Sequence, residues 1–182
     1  IITEEFERAK VVGDFTQSFI YPTLLVWATE EQKQMFLKPI LKAEKVAFQS
    51  FTEPNAGSDL ASLQSRAVRD GDDWIISGQK TFISGHGDVD YLFGPIVTDP
   101  DAPRHRNLGY FMIPCPSEGL ELQRLNLLTG HDQSFIFMDN VRVPGDHLIG
   151  GETEGWQVAQ TTLEIEHGGR GAAFPRDEAM DN

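Results

Sequence analysis

The spacing of apolar positions changes twice along this chain. In the first 45 residues it is helical: within "ATEEQKQMFLKPILKAEK", Phe36, Leu37, Ile40 and Leu41 share one face, with Met35 beside them. Thr29 and Gln32 stand at capping-box spacing, and Glu30 and Glu31 suit a helix N-terminus. Pro39 marks a bend or the last turns of that helix. Upstream, "EEFERAKVVGDF" reads as a second amphipathic segment, and Tyr21-Pro22 as a break.

From residue 46 to about 150 the pattern shortens to strand-sized runs between turn signals. "VAFQSF" precedes "PNAGSD", "SRAV" precedes "RDGDD", and "WIIS" leads to "GQK". "YLFGPIV" precedes "TDPDAP", "LGYFMIP" precedes "CPSEG", and "FIFMDNVRVP" comes last. Short strands at this interval predict an antiparallel sandwich or barrel. Asp70-Gly71 is a hairpin turn, because glycine accepts positive φ. No βαβ rhythm and no G-x-G-x-x-G occurs, which argues against a dinucleotide-binding Rossmann unit.

After residue 151 helical spacing returns in "EGWQVAQTTLEIEH", with Trp156, Val158, Ala159, Leu163 and Ile165, and it dissolves in "GGRGAAFPRDEAMDN". One helix cannot bury its own apolar face, so the segment is expected to belong to a larger chain or to lean on partner subunits. The fold class is therefore α+β. A central antiparallel β domain (46–150) lies between the end of an N-terminal helical domain (1–45) and the start of a C-terminal one (151–182).

Composition narrows the function classes. The formal net charge of −13 argues against nucleic acid or acidic lipid as the main partner. The single cysteine, Cys115, allows no internal disulfide and fits a reducing, cytoplasmic setting. No basic and apolar leader is visible at the start, and no apolar run approaches the ~20 residues needed to span a bilayer. No cluster of metal-ligating residues stands out.

Two stretches carry candidate chemistry. In "TEPNAGSD", Pro54 fixes φ, Gly57 permits close backbone approach, and Thr52 and Ser58 offer hydroxyls that both donate and accept. "GQKTFIS" ends on an aromatic ring at Phe82, an aliphatic at Ile83 and a hydroxyl at Ser84. A ring face beside a hydroxyl suits a planar heteroaromatic ligand, although an ordinary loop and a strand end account for both stretches equally well.

With "DNVRVP" and "ETEGWQVAQTTLEIEH" following in order, these motifs resemble the middle of an acyl-CoA dehydrogenase, from about residue 28 to 170. The resemblance implies FAD as cofactor, an acyl-CoA thioester of fatty-acid metabolism as substrate, and an electron-transfer flavoprotein as acceptor. It also implies a homotetramer or a heteromer. It aligns the turn from Gln49 through Phe51, Thr52 and Gly57 to Ser58 with the isoalloxazine and ribityl chain. Thr52 bonds the pyrimidine side of the ring, and Ser58 also reaches CoA. Phe82 takes the place of the usual tryptophan against the flavin face, Ile83 follows it, and the Ser84 hydroxyl points to flavin N5. Gln49 stands where many members have an aromatic residue.

The same resemblance puts Glu166 where some members carry the base that removes the proton α to the thioester carbonyl. In most members the base comes later, at a position that would lie beyond Asn182, the last residue of this sequence. Glu164 matches a substrate-contacting position, and His167 replaces an arginine that meets CoA. A flavin oxidase or monooxygenase on the same scaffold, and a non-catalytic subunit, remain alternatives.

Overall fold

The computed structural model describes residues 19–85, 88–128 and 132–166. The upstream amphipathic segment, His167 and the stretch that follows it as far as Asn182 lie outside them. Helix α1 spans Ile20–Trp27. Tyr21-Pro22 does not break the chain there. Both residues sit in the first turn of α1, where the missing N–H of proline has no intrahelical partner to lose.

Helix α2 begins at Thr29, whose hydroxyl accepts from the Gln32 amide at 3.2 Å while Gln32 Oε1 accepts from the Thr29 amide at 3.0 Å. It runs as α over Glu30–Gln32, widens to a π-turn over Lys33–Leu37 and returns to α over Lys38–Leu41. Phe36, Leu37 and Ile40 are buried, whereas Leu41 and Met35 are exposed. Gln32 Nε2 also donates to the carbonyls of Asp146 and Leu148, both at 2.8 Å, which ties α2 to the far end of the sheet.

Eight strands follow: β1 Ala47–Gln49, β2 Arg66–Asp70, β3 Asp73–Ser84, β4 Tyr91–Val97, β5 Leu108–Pro114, β6 Leu120–Asn126, β7 Asp132–Val143 and β8 Leu148–Ile149. Their order is β6-β7-β3-β2-β4-β5-β8, with β1 beside β4. Pairing is antiparallel for β2–β3, β3–β7, β4–β5, β5–β8 and β6–β7. The expected antiparallel β domain is present, with parallel contacts of β1 and β2 to β4 making the sheet mixed. Strand β6, which the run of turn-bounded apolar segments does not include, is an edge strand with four of its seven residues exposed.

The apolar runs of β4 and β5 are nearly continuous because both faces of these strands are covered. Leu92, Ile96, Phe111 and Ile113 join Trp74, Ile76, Ile136 and Val143 inside the curled sheet. Phe93, Val97, Tyr110 and Met112 face the helices and meet Leu24, Phe36, Val158 and Ala159. Each large side chain buried here contributes about 1.5–3 kcal/mol relative to exposure.

Helix α3, Gly155–Glu166, closes the second layer. It packs on β5 and on α1, where Trp27 Nε1 donates to Thr161 Oγ1 at 3.0 Å and the hydroxyls of Thr23 and Thr162 lie 3.0 Å apart. Helices from both ends of the described chain thus meet over one sheet face. No helix among the described residues is long and apolar enough to cross a membrane.

Candidate functional site

Strand β3 sets the site by changing which face its residues present. From Trp74 through Ile76 to Lys80, alternate residues point inward, so Lys80 enters the interior with its side chain 1% exposed. Gly78 (φ +149°) lies on that inward row, and a Cβ there would overlap the Ser65 side chain. Between Lys80 and Ile83 the register against β7 slips, so that Thr81 and Phe82 stand opposite Phe135 alone. Such a bulge flips the alternation. Ile83 turns inward, and Phe82 and Ser84 turn out together. Phe82 takes φ +57°, an uncommon and costly conformation for an aromatic residue, and its side chain stays 55% exposed. Its ring leans on Phe135, with centroids 5.8 Å apart.

A charged pair holds the two motif stretches together. Lys80 Nζ donates to Glu53 Oε1 at 2.9 Å and to the carbonyls of Phe51 (3.2 Å) and Pro95 (2.9 Å). Glu53 accepts further bonds from the amides of Gln64 and Ser65. Burial pushes the Lys80 ammonium below the usual lysine range, and Glu53 offsets only part of this. Burial would also raise the Glu53 carboxyl, but Lys80 and the surrounding N–H donors outweigh it and hold Glu53 below its usual value. One backbone bond, Thr81 N–H to Thr52 C=O at 2.8 Å, completes the join.

The result is a cleft of about 200 Å³ lined by Phe19, Gln49, Phe51, Thr52, Phe82, Ile83, Ser84 and Glu166. All of these but Phe19 are site residues expected from the motifs, brought in from β1, the following loop, the β3 bulge and the end of α3. Gln49 Nε2 donates to Glu166 Oε2 at 2.9 Å, and Gln49 Oε1 is buried with no hydrogen-bond partner among the described residues. Phe51 meets the buried Tyr110 edge-on at 6.0 Å. Burial pushes the Tyr110 phenol well above its usual value; Thr162 pulls the other way and the Glu166 charge adds to the rise. The Ser84 hydroxyl accepts from Gln133 Nε2 at 3.4 Å.

Gly57 and Ser58 do not join the cleft. They lie exposed on the outer turn, where their neighbour Asp59 pairs with Arg104. Glu164 also lies outside it, whereas Glu166 lines it and is exposed. Among the described residues, Glu166 is the carboxylate that lines the cleft. A larger groove of about 660 Å³ shares Glu53, Pro54 and Asn55 with the motif but none of the cleft's lining. No group of three or more His, Cys, Asp or Glu side chains among the described residues could hold a metal. The Glu53–Lys80 pair is the functional support that motif reading missed. Its signal was a lysine on the inward parity of an apolar strand, which demands a buried carboxylate.

The family model "Acyl-CoA dehydrogenase, middle domain" matches residues 49–141. Acyl-CoA dehydrogenase FadE34 of Mycobacterium tuberculosis is 40% identical over 80% of this chain and 20% of its own. Acyl-CoA dehydrogenase FadE29 of the same organism is 38% identical over 91% of this chain and 43% of its own. The chain therefore spans less than half the length of these curated relatives. Among solved structures, the Tcur3481-Tcur3483 steroid ACAD superimposes with TM-score 0.79 at 38% identity, covering 84% of this chain and 40% of that one.

Proposed function

The chain belongs to the acyl-CoA dehydrogenase family, and from that premise we propose that it carries the flavin-facing part of an FAD-dependent enzyme that oxidises an acyl-CoA thioester between its α and β carbons. The observation that carries the reading is the cleft. Thr52, Ser84, Gln49 and the turned-out Phe82 line one concavity together with the carboxylate residue Glu166. The exposed Phe82 ring offers a planar heteroaromatic ligand a face to stack on, and the Thr52 and Ser84 side chains offer hydroxyls to such a ligand's polar edge.

FAD fits this set: Gln49, Phe51, Thr52, Phe82, Ile83 and Ser84 would hold its ring, and when bound it supplies a two-electron acceptor. The chain's own residues do the rest. Phe82 covers ring surface and excludes water, and Ile83 beside it packs into the core and fixes the bulge. Thr52 and Ser84 orient the ring through its polar edge. Glu166 is assigned as the base that takes the α proton, whose weak acidity requires a carboxylate within hydrogen-bond reach. Gly57, Ser58, Glu164 and His167 are assigned to the ribityl and CoA portions. The electron acceptor is assigned as an electron-transferring flavoprotein, and the assembly as a homo- or hetero-oligomer.

The test is flavin content. The intact protein should purify with close to one FAD per chain, and Thr52→Ala combined with Ser84→Ala should lose most of it while the fold persists by circular dichroism. Full flavin retention in the double variant would reject the cleft as the ring's site.

A further inference from the structure

The contact across the cleft mouth joins two residues that are 117 positions apart, Gln49 at the end of β1 and Glu166 at the end of α3. The body of α3 is fixed independently, by Val158 and Ala159 in the core and by the threonine and tryptophan bonds to α1. The Glu166 carboxylate is exposed and has three rotatable bonds, so the helix alone does not orient it. Gln49 does: its Nε2 lies 2.9 Å from Glu166 Oε2. The amide orientation is dictated by chemistry, because a flipped amide would set an acceptor against a carboxylate. Gln49 is in turn anchored by β1, where Gln49 pairs with Phe93 and the next amide, Ser50 N–H, bonds the Phe93 carbonyl at 2.8 Å.

We propose that Gln49 is a positioning residue for the α-proton abstraction by Glu166: its N–H holds one carboxylate oxygen and leaves the other to take the proton. This rests on the reading of Glu166 as the base. In the step itself the α C–H bond breaks, the proton passes to Glu166, and the electron pair stays on the thioester as its enolate. Holding a reacting group near its productive geometry is worth large factors in rate, and a shift of about 1 Å can cost about a hundredfold.

The test isolates proton removal from oxidation. 3,3-Dimethylbutanoyl-CoA has hydrogens on its α carbon and none on its β carbon, so it can exchange the α hydrogens in D2O but cannot be dehydrogenated. Exchange is followed by mass spectrometry on the intact flavin-loaded protein and on Glu166→Gln, Gln49→Met and the double variant. Methionine keeps the length of glutamine without its N–H. Glu166→Gln should reduce exchange to the solvent background. Gln49→Met should slow exchange per bound flavin, at saturating probe, by about one to two orders of magnitude, beyond any loss of flavin or probe affinity, and should add nothing to Glu166→Gln. Wild-type exchange in Gln49→Met, with exchange lost in Glu166→Gln, overturns the positioning role and leaves the base reading intact. Undiminished exchange in Glu166→Gln overturns the base reading and this proposal with it. A Gln49→Met variant whose rate falls only in proportion to its flavin or probe affinity overturns the positioning role and leaves Gln49 as a binding residue alone.

Discussion

Lys80 Nζ lies 2.9 Å from Glu53 Oε1, with both side chains 4% exposed or less. The pair joins the loop that carries Thr52 to the strand that carries Phe82. Removing one partner strands the other charge in the interior, which costs about 3–5 kcal/mol, whereas removing both is far milder. Lys80→Met should therefore destabilise by that amount in urea denaturation, and Glu53→Gln with Lys80→Met should recover most of the loss. A single Lys80→Met costing under about 1 kcal/mol would mean that water reaches Glu53.

The same pair gives the protein an acid limb. Glu53 is held below its usual value in the folded chain, so its contribution is complete above the unfolded carboxyl value of about 4.3 and is lost as pH falls through the folded one. The stability gap between the wild type and Glu53→Gln should thus narrow steadily on acidification below about pH 4. A gap independent of pH would contradict the assignment.

At Phe82, strain and exposure separate stability from binding. The ring is 55% exposed and the backbone sits at φ +57°. Phe82→Gly gives up little burial and relieves about 1–2 kcal/mol of left-handed strain. The variant should be as stable as the wild type or slightly more so by thermal melting, and should retain less FAD. Clear destabilisation would mark the ring as packing rather than as a ligand platform.

Gln32 does more than cap α2, because its Nε2 also satisfies the carbonyls of Asp146 and Leu148. Thr29→Ala should cost about 1 kcal/mol as an ordinary cap. Gln32→Ala should cost more, since two carbonyls lose their donor in addition. Equilibrium denaturation of both variants gives the order, and the reverse order would show that water replaces the side chain.

The parts of this fold that follow from local pattern were legible. "YLFGPIV" and "LGYFMIP" are β4 and β5 to the residue, since strands covered on both faces are apolar throughout. Thr29 and Gln32 form the capping box that their spacing implies. What depends on pairing was not. Gly78, Gln79 and Lys80 continue β3 instead of ending it, because β7 runs alongside and supplies partners as far as Ser84. Leu120, Leu122 and Leu125 mark β6, but on an edge strand they are too few to announce it. In the site, the motifs carried Thr52, Phe82 and Ser84 together, whereas Ser58 stays on the outer turn. The bulge that turns Phe82 outward and the reach of Gln49 to Glu166 come from tertiary contacts that no local spacing encodes.

If the cleft serves flavin-dependent oxidation of an acyl-CoA with Glu166 as base, the bound flavin itself reports the reaction. The most direct measurement is anaerobic titration of the intact protein with saturated acyl-CoA thioesters of several chain lengths, read by the visible flavin absorbance. At least one thioester should bleach the bound flavin, and Glu166→Gln should keep its flavin without bleaching. Equal bleaching in Glu166→Gln would contradict the assignment of the base. A protein that carries no flavin, or whose flavin no acyl-CoA reduces, would contradict the function.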